Sequence, residues 1–231
     1  QLIKATHEIL GRHESDAAPR EIMITACADT GVLSSCAHAA CLLGDDVVAR
    51  TRFTVLDKCP SPLKLCDHYG ERHGLDVRTI VCDLIRSVPA SISADIIVVH
   101  NLLPFVPEHQ HERLLDNLKR CLKPNGSLIL WTTVRAPSDQ DETLLKKAKR
   151  RQYLRKLAED GKLVITEPLD RFLARLDGNV DGWRPAEFAY ADARPLANLV
   201  NSVGLDVVSI EEFDLQMPSP KVMIIAGKGT A

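Results

Sequence analysis

No apolar run in the 231-residue sequence reaches the roughly 18 residues that a membrane-spanning helix needs, and the first residues carry no signal-peptide pattern. The sequence also lacks an excess of either charge, since 29 basic and 31 acidic residues leave a net charge of -2. Without a strong positive field, a protein is poorly suited to hold nucleic acid or an anionic membrane. We therefore expect a soluble, cytoplasmic protein with no membrane span and no nucleic-acid partner.

The seven cysteines include no CxxC pair. They are Cys27, Cys36, Cys41, Cys59, Cys66, Cys82 and Cys121. Because their number is odd and most lie in apolar segments, free thiols in a reducing cytosol explain them better than a disulfide framework. A zinc site would need ligand pairs at closer spacing, so no metal site is predicted. His109 and His111 lie two apart on a predicted helix, point to different sides and are expected to be solvated.

The length and the 45% apolar content are sufficient for one large domain. We expect residues 1–20 to form an N-terminal helical segment, with a short helix at 2–10, and residues 21–231 to form the domain itself. Because the chain begins at Gln1 rather than at Met, the N-terminus is expected to have been trimmed or processed.

Apolar segments of strand length alternate with helical segments through the first part of the chain. Strands are predicted at 21–28, 53–57, 77–83, 94–103 and 126–134, and helices at 32–43, 62–73 and 107–123. Continuous apolar strands that alternate with helices indicate a parallel sheet covered on both faces. The predicted fold class is therefore a doubly wound α/β fold.

The end of the chain has a different pattern. A helix predicted at 195–203 precedes strands at 205–215 and 221–227, and the four residues Met217 to Pro220 leave no room for a helix between the strands. So short a connection predicts an antiparallel pair. Residues 136–194 differ in composition and begin with a basic segment that predicts an amphipathic helix. We interpret 136–194 as an insertion that caps the site.

The order of these elements resembles the class I S-adenosylmethionine-dependent methyltransferase family, whose mostly parallel sheet has an antiparallel C-terminal strand. The resemblance covers roughly residues 21–227 and depends on acidic residues at strand ends. It implies S-adenosylmethionine as the cofactor and methyl transfer to the oxygen or nitrogen of a small molecule. In such a sheet the ligand lies beyond the carboxyl ends of the strands, where the strand order reverses.

The family's loop after the first strand wraps the methionine part of the cofactor, and it is usually rich in glycine. The matching stretch here retains only the last glycine, and its implied cofactor-binding residues are Cys27, Ala28, Asp29 and Gly31. Cys27 and Asp29 take the places of two glycines, where a side chain is expected to cost backbone freedom. We expect Asp29 either to cap the helix that starts near Thr30 or to attract the ammonium group of the ligand.

Two aspartates end successive predicted strands. The resemblance assigns Asp57 to the ribose hydroxyls and Asp83 to the exocyclic amine of adenine, with Leu84 against the adenine ring and Lys58 beside the ribose acid. A carboxylate suits a diol because it only accepts hydrogen bonds. Each aspartate could instead be a helix cap or turn residue.

The fourth predicted strand leads into His100 and Asn101, which the resemblance places at the methionine part of the cofactor and at the substrate. His100 is the candidate general base, because the pKa of an unperturbed histidine lies near neutrality. A histidine that only ends a strand and bonds to nearby backbone is the alternative. Pocket-lining or cap-core roles are predicted for Trp131, Arg135, Trp183 and Tyr190.

Two other functions compete with methyl transfer. A nicotinamide-dependent oxidoreductase requires G-x-G-x-x-G at the first turn, and Asp29 would repel its pyrophosphate. A methyltransferase-like domain that has lost catalysis and serves as a binding or scaffolding domain is consistent with the missing glycines.

Overall fold

The structure is a computed structural model that describes residues 1–12, 18–134, 151–162, 168–174, 190–213 and 221–229. Its strands are β1 (Arg20–Thr25), β2 (Thr51–Asp57), β3 (Asp76–Val81), β4 (Ala94–His100), β5 (Leu122–Thr133), β6 (Asp206–Phe213) and β7 (Lys221–Gly227). Its helices are α1 (Leu2–Gly11), α2 (Gly31–Cys41), α3 (Asp45–Ala49), α4 (Pro60–His73), α5 (His111–Cys121) and α6 (Ala193–Ser202). Short 3-10 turns lie at Leu103–Phe105 and Glu108–Gln110, and residues 151–159 and 169–174 are helical.

The seven strands form one sheet in the order β3-β2-β1-β4-β5-β7-β6. The first five strands along this order are parallel, and β7 is antiparallel to both of its neighbours, β5 and β6. The predicted doubly wound fold with an antiparallel C-terminal strand is confirmed. Since β1 lies between β2 and β4, the strand order reverses at β1 and β4, as the resemblance implied.

Both faces of the sheet are covered because alternate residues of each strand point to opposite sides. In β1, Ile22 and Ile24 pack with α1, α2 and α4, whereas Met23 packs with α5 and α6 on the other face. The short helix predicted near the N-terminus is confirmed as α1, and it belongs to the first of these two layers. Burial on both faces explains why the central strands read as continuous apolar runs.

Several element boundaries differ from the prediction for identifiable reasons. β1 and β4 end earlier than predicted, since the next residues, Ala26 and Asn101, have φ of 53° and 55°, which no strand tolerates. β5 begins earlier than predicted, because Leu122 already pairs with Ala94 before an irregularity in the register. The short helix α3 was not predicted.

The prediction that His111 is solvated is wrong. His111 is 2% exposed, and its Nε2 donates to the carbonyl oxygens of Leu103 and Val106, at 3.1 and 2.8 Å. Its Nδ1 lies 2.8 Å from Tyr190 Oη. Burial raises the pKa of Tyr190 to about 12. His111 therefore ties the segment after β4 to the residues that precede α6.

The interpretation of 136–194 as a cap falls largely outside the described residues. Within it, the structure describes 151–162, 168–174 and 190–194, and the helix over 151–159 agrees with the predicted basic helix. The division into an N-terminal segment, 1–20, and a domain, 21–231, stays a prediction. None of the helices in the described ranges has both the length and the hydropathy of a membrane-crossing helix.

The turn after β1 has its left-handed backbone at Ala26, and neither Cys27 nor Asp29 has a positive φ. The expectation that side chains at Cys27 and Asp29 would cost backbone freedom is therefore wrong for that pair of positions. The strain lies one residue earlier, directly after the strand. The turn keeps its shape because Ala26 N–H donates to Leu56 O at 2.9 Å, which holds it against β2.

We expect Ala26→Gly to raise the free energy of unfolding by up to about 1 kcal/mol, as measured by urea denaturation. A left-handed backbone costs a residue with a Cβ about 1–2 kcal/mol, and the greater freedom of unfolded glycine offsets about 0.4–1 kcal/mol of that gain. Cys27→Gly is the matched control and should destabilise, since the Cys27 side chain is buried. A destabilised Ala26→Gly variant would contradict this account of the turn.

Candidate functional site

The carboxyl ends of β1, β2, β3, β4 and β5 lie along one edge of the sheet because these strands are parallel. The predicted site residues follow four of these ends, and the structure therefore brings them to the same edge. At the centre of the edge, Thr25 of β1 pairs with Val99 of β4. Loops that leave the sheet from these neighbouring strands diverge and create a crevice at this kind of position.

The loop after β1 presents its backbone at this edge while burying one of its side chains. The Sγ of Cys27 lies 3.8 Å from the Sγ of Cys66 in α4, and this hydrogen bond raises the pKa of Cys27 and lowers that of Cys66. Ala28 and Asp29 are exposed. Cys27 therefore has only its main chain to offer a ligand, whereas Asp29 has a side chain to offer.

Asp29 also acts on the start of α2. Its Oδ1 accepts a hydrogen bond from Gly31 N–H at 2.7 Å, so the predicted capping role is confirmed. A Cβ on residue 31 would lie 2.9 Å from the same oxygen, which explains why glycine is favoured there. Because a carboxylate already occupies this helix N-terminus, a pyrophosphate would have to displace it and overcome its charge.

Asp57 and Asp83 lie at the ends of the adjacent strands β2 and β3. Asp57 Oδ1 accepts from Cys59 N–H at 2.7 Å, and Asp83 Oδ1 accepts from Ile85 N–H at 3.1 Å. Both aspartates thus hold the local turn, as the alternative interpretation predicted. Each has a second oxygen: Asp57 Oδ2 has no partner among the described residues, and Asp83 Oδ2 lies 3.4 Å from Arg86 Nε.

The neighbours of these aspartates differ in their surroundings. Lys58 is exposed, whereas the Leu84 side chain is buried in the core with Met23 and Leu56. Leu84 therefore faces away from solvent and keeps only its backbone for a ligand. Its carbonyl oxygen accepts from Asn117 Nδ2 at 2.8 Å, which fixes the loop after β3. The sequence signal for this contact is a single amide on the apolar face of α5.

His100 ends β4 on the face that α1 and α2 cover, opposite Trp131 of β5. Burial is the main cause that lowers the pKa of His100, followed by the charge of Lys221, while Asp29 acts in the opposite direction. The imidazole is therefore neutral at pH 7 and able to accept a proton. Asn101 follows in a left-handed conformation, and its N–H donates to Trp131 O at 2.6 Å.

Aromatic rings extend from His100 across the sheet. The ring centroids of His100 and Trp131 are 5.9 Å apart, and those of Trp131 and Phe213 are 5.3 Å apart with the planes at 14°. Of the other residues predicted to line a pocket, Tyr190 is buried against His111 on α5. Arg135 and Trp183 lie outside the described residues.

Two residues at this edge were missed by sequence reasoning. Thr133 ends β5 and Lys221 begins the antiparallel strand β7, where the two pair directly. The only signal for Lys221 is a lysine at the start of an apolar strand, and its place becomes clear only once β7 is known to run next to β5. In the described ranges, no group of three or more His, Cys, Asp and Glu side chains is arranged to hold a metal ion.

Comparisons with known proteins agree with this architecture. The family model of a methyltransferase domain matches residues 34–126. The N-methyltransferase NodS from Bradyrhizobium japonicum WM9 is similar with a TM-score of 0.57 and 14% identity, over 99% of this chain and 97% of that chain. An S-adenosylmethionine-dependent methyltransferase from Methanosarcina mazei gives 0.58 and 17%, over 92% and 94%.

A third solved structure is the 1,6-didemethyltoxoflavin-N1-methyltransferase from Burkholderia thailandensis, with a TM-score of 0.61 and 12% identity over 100% of this chain and 79% of that chain. At such identities the likeness shows the fold. No curated protein matches the sequence significantly.

The residues that match the family model include Asp57, Asp83 and His100 and extend from α2 to the turn within β5. The antiparallel last strand, β7, and the reversal of strand order between β1 and β4 are the two features of the sheet that the resemblance predicted. The methyltransferase-domain match over residues 34–126 and the likeness of the fold to solved methyltransferases agree with the resemblance to the class I, S-adenosylmethionine-dependent methyltransferase family.

Proposed function

We propose that the chain transfers a methyl group from S-adenosylmethionine to an oxygen or nitrogen atom of a small molecule in the cytoplasm. The observation that carries this proposal is the convergence at one sheet edge of two aspartates and a half-buried neutral histidine. Asp57 has an oxygen without a partner among the described residues, and the second oxygen of Asp83 pairs only with the exposed side chain of Arg86. The toxoflavin precursor bound to the Burkholderia enzyme is one small molecule on which this fold acts. The net charge of -2 and the seven free thiols are consistent with a cytosolic protein that does not bind polyanions.

The carboxylates of Asp57 and Asp83 fit the nucleoside half of the cofactor. The free Oδ2 of Asp57 supplies the acceptor that two ribose hydroxyls need, and Asp83 supplies an acceptor for an amine one strand further along the edge. Turn formation and ligand binding are compatible because they use different oxygens. We assign Lys58 and the backbone of Leu84 to the same half, next to these acids in the chain.

The methionine half fits the loop after β1 together with the residues after β4. The exposed Asp29 carboxylate attracts an ammonium group, and the backbones of Cys27, Ala28 and Gly31 line the approach to it. Asn101 closes this part of the site from the β4 side. When bound, the cofactor supplies a methyl group on a sulfonium, which is already a good leaving group.

His100 is the proposed general base. Its imidazole is neutral at pH 7 and lies beside the switch between β1 and β4, so it can take the proton that a hydroxyl or an amine loses. The remaining rate enhancement comes from positioning the acceptor in a site that excludes water.

The competing functions fit the site less well. An oxidoreductase that uses a dinucleotide would place its pyrophosphate at the N-terminus of α2, where Asp29 already binds Gly31 N–H. A scaffold without catalysis differs from an enzyme in two measurements taken together. Binding of the cofactor would raise its melting temperature, but the protein would not consume the cofactor.

We expect Asp57→Ala to weaken binding of S-adenosylhomocysteine about ten- to a hundredfold by calorimetry, because hydrogen bonds to a charged acceptor contribute about 1.5–3 kcal/mol. Asp57→Asn keeps an oxygen for Cys59 N–H, so it should melt near the wild type and still lose affinity. Asp76→Asn is the matched control, since Asp76 begins β3 at the opposite sheet edge and pairs with Arg52 on the surface. Unchanged affinity in Asp57→Ala would refute the ribose assignment.

His100→Gln should lower turnover about a hundred- to ten-thousandfold, which is the usual contribution of a general base. The assay measures S-adenosylhomocysteine released from S-adenosylmethionine in the presence of a panel of phenols, catechols and heterocyclic amines. Cofactor affinity and melting temperature should stay near those of the wild type. Full turnover would remove His100 from the mechanism, and a variant that melts early and loses binding would assign it a structural role.

The pH dependence of stability gives a second test of His100. Because its folded-state pKa lies below the unfolded value, the unfolded chain binds more protons between the two. The free energy of unfolding should therefore fall as the pH drops from about 6.5 toward the folded pKa, and this slope should be smaller in His100→Gln. Urea denaturation at a series of pH values measures it, and identical slopes would show that His100 titrates normally.

A further inference from the structure

Lys221 lies on the same face and at the same edge of the sheet as His100. His100 pairs with Trp131, and Thr133, two residues further along β5, pairs with Lys221. Because every second residue of a strand points to the same side, these four side chains share the face covered by α1 and α2. The proposed base and a lysine thus border one area beyond the ends of β4 and β5.

A chain of hydrogen bonds connects Lys221 with Asn101. Lys221 Nζ donates to Thr133 Oγ1 at 3.0 Å, and Thr133 Oγ1 donates to Asn101 Oδ1 at 2.8 Å. Thr133 N–H donates to the same Asn101 oxygen at 3.0 Å. With its oxygen fixed by two donors, Asn101 keeps an Nδ2 amide that has no partner among the described residues. We call Lys221, Thr133 and Asn101 the donor relay.

The ammonium group of Lys221 has no carboxylate partner within the described part of the chain, although the side chain is half-buried. Burial lowers the pKa of Lys221, which shows that its charge is poorly solvated. A cation in this position gains from a bound anion, because burial disfavours its charge and no carboxylate among the described residues compensates it. Among the described residues Thr133 accepts from one of its three N–H donors, and the other two have no described partner.

The same area has a flat apolar wall. Trp131 stacks on Phe213, and the indole Nε1 of Trp131 is buried without a hydrogen-bond partner among the described residues. Trp131 is 9% exposed, so this unpaired donor is well shielded from water. The half-buried ring of Phe213, which Trp131 supports and which pairs with Lys221, suits a planar ligand that has a charged oxygen at its edge.

We propose that Lys221 binds the negatively charged oxygen of the methyl acceptor, and that the acceptor is a planar hydroxylated or carboxylated ring methylated on oxygen. This proposal rests on the proposed function and narrows its acceptor from oxygen or nitrogen to an acidic oxygen. A hydroxyl that gives its proton to His100 becomes an oxyanion, whereas a carboxylate is already charged and needs no base. The ammonium of Lys221 and the Nδ2 amide of Asn101 stabilise that charge. The charged oxygen then forms a bond to the methyl carbon as the bond from this carbon to the sulfonium sulfur breaks, which leaves S-adenosylhomocysteine. Lys221 also favours the neutral imidazole that this proton transfer requires.

Binding of salicylate tests the proposal without knowledge of the natural acceptor. Salicylate is a planar hydroxylated carboxylate, and salicylamide is its neutral counterpart. In the presence of saturating S-adenosylhomocysteine, we expect calorimetry to show salicylate bound at least about tenfold more tightly than salicylamide. Lys221→Met should lose about ten- to a hundredfold of the salicylate affinity, and Lys221→Arg, which keeps the charge, should lose much less.

Lys123→Met is the matched control, because Lys123 is a half-buried lysine that pairs with Asp95 at the opposite edge of the sheet. It should bind salicylate like the wild type. If Lys221→Met does not fold, Lys221→Gln replaces it, since its amide can still donate to Thr133. Titration of the histidine ring signals by NMR measures the pKa of His100, which loss of packing alone would not change. This pKa should rise in Lys221→Met and should equal the wild-type value in Lys123→Met.

Two results would overturn the proposal while leaving methyl transfer intact. In the first, the wild type binds S-adenosylhomocysteine but binds salicylate and salicylamide equally well. In the second, Lys221→Met keeps both the salicylate affinity and the His100 pKa of the wild type. A wild type that fails to bind S-adenosylhomocysteine would instead refute the proposed function, and the assignment of Lys221 with it.

Discussion

The parallel pairing of β1 with β4 is the constraint on which the site depends. The two strands pair from Ile22 with Ile96 to Thr25 with Val99, so their carboxyl ends lie side by side. Near these ends Thr25 Oγ1 donates to Val98 O at 3.3 Å. Directly beyond, Ala26 and Asn101 both adopt left-handed conformations, with φ of 53° and 55°. Such residues turn the chain abruptly, so the two loops leave the sheet from neighbouring points. Strain of this kind persists where the surrounding structure holds it, and it is common at binding sites.

The charges along this edge are arranged in two groups. The carboxylates of Asp29, Asp57 and Asp83 follow β1, β2 and β3, whereas the base His100 and the cation Lys221 lie at β4 and β7. Under the proposed function, the acidic half faces a cofactor with an ammonium group and hydroxyls, and the basic half faces an acceptor that loses a proton. This division places opposite electrostatic requirements side by side. Under the proposed function, Asp29 compensates for the missing glycines of the loop after β1, because it accepts from Gly31 N–H at the start of α2 and supplies charge to the ligand.

The fold could be predicted from the sequence because its signals are local: apolar strand-length runs, helix stops, and a connection before β7 too short for a helix. The positions of the carboxylates of Asp57 and Asp83 were predictable for the same reason, since Asp57 ends β2 and Asp83 lies two residues after β3. Other features depend on contacts between distant residues. Lys221 meets Thr133 and Asn101 only because β7 enters the sheet beside β5, and His111 is buried only because Tyr190 and the turn after β4 surround it. The strained backbone of the first turn was predicted at Cys27 and Asp29, whereas the left-handed residue is Ala26. The positions of glycine in a family pattern carry no information about the φ of an alanine.

Hydrogen exchange of backbone amides, measured by mass spectrometry with and without S-adenosylhomocysteine, tests most directly whether the β1 and β4 loops form the cofactor site. The account predicts slower exchange at residues 26–31, 57–60, 82–86 and 100–102 when the ligand is present. Amides at the opposite edge of the sheet, at residues 74–76 and 123–126, should exchange at unchanged rates. Protection confined to that opposite edge, or no protection at all at saturating ligand, would contradict the account.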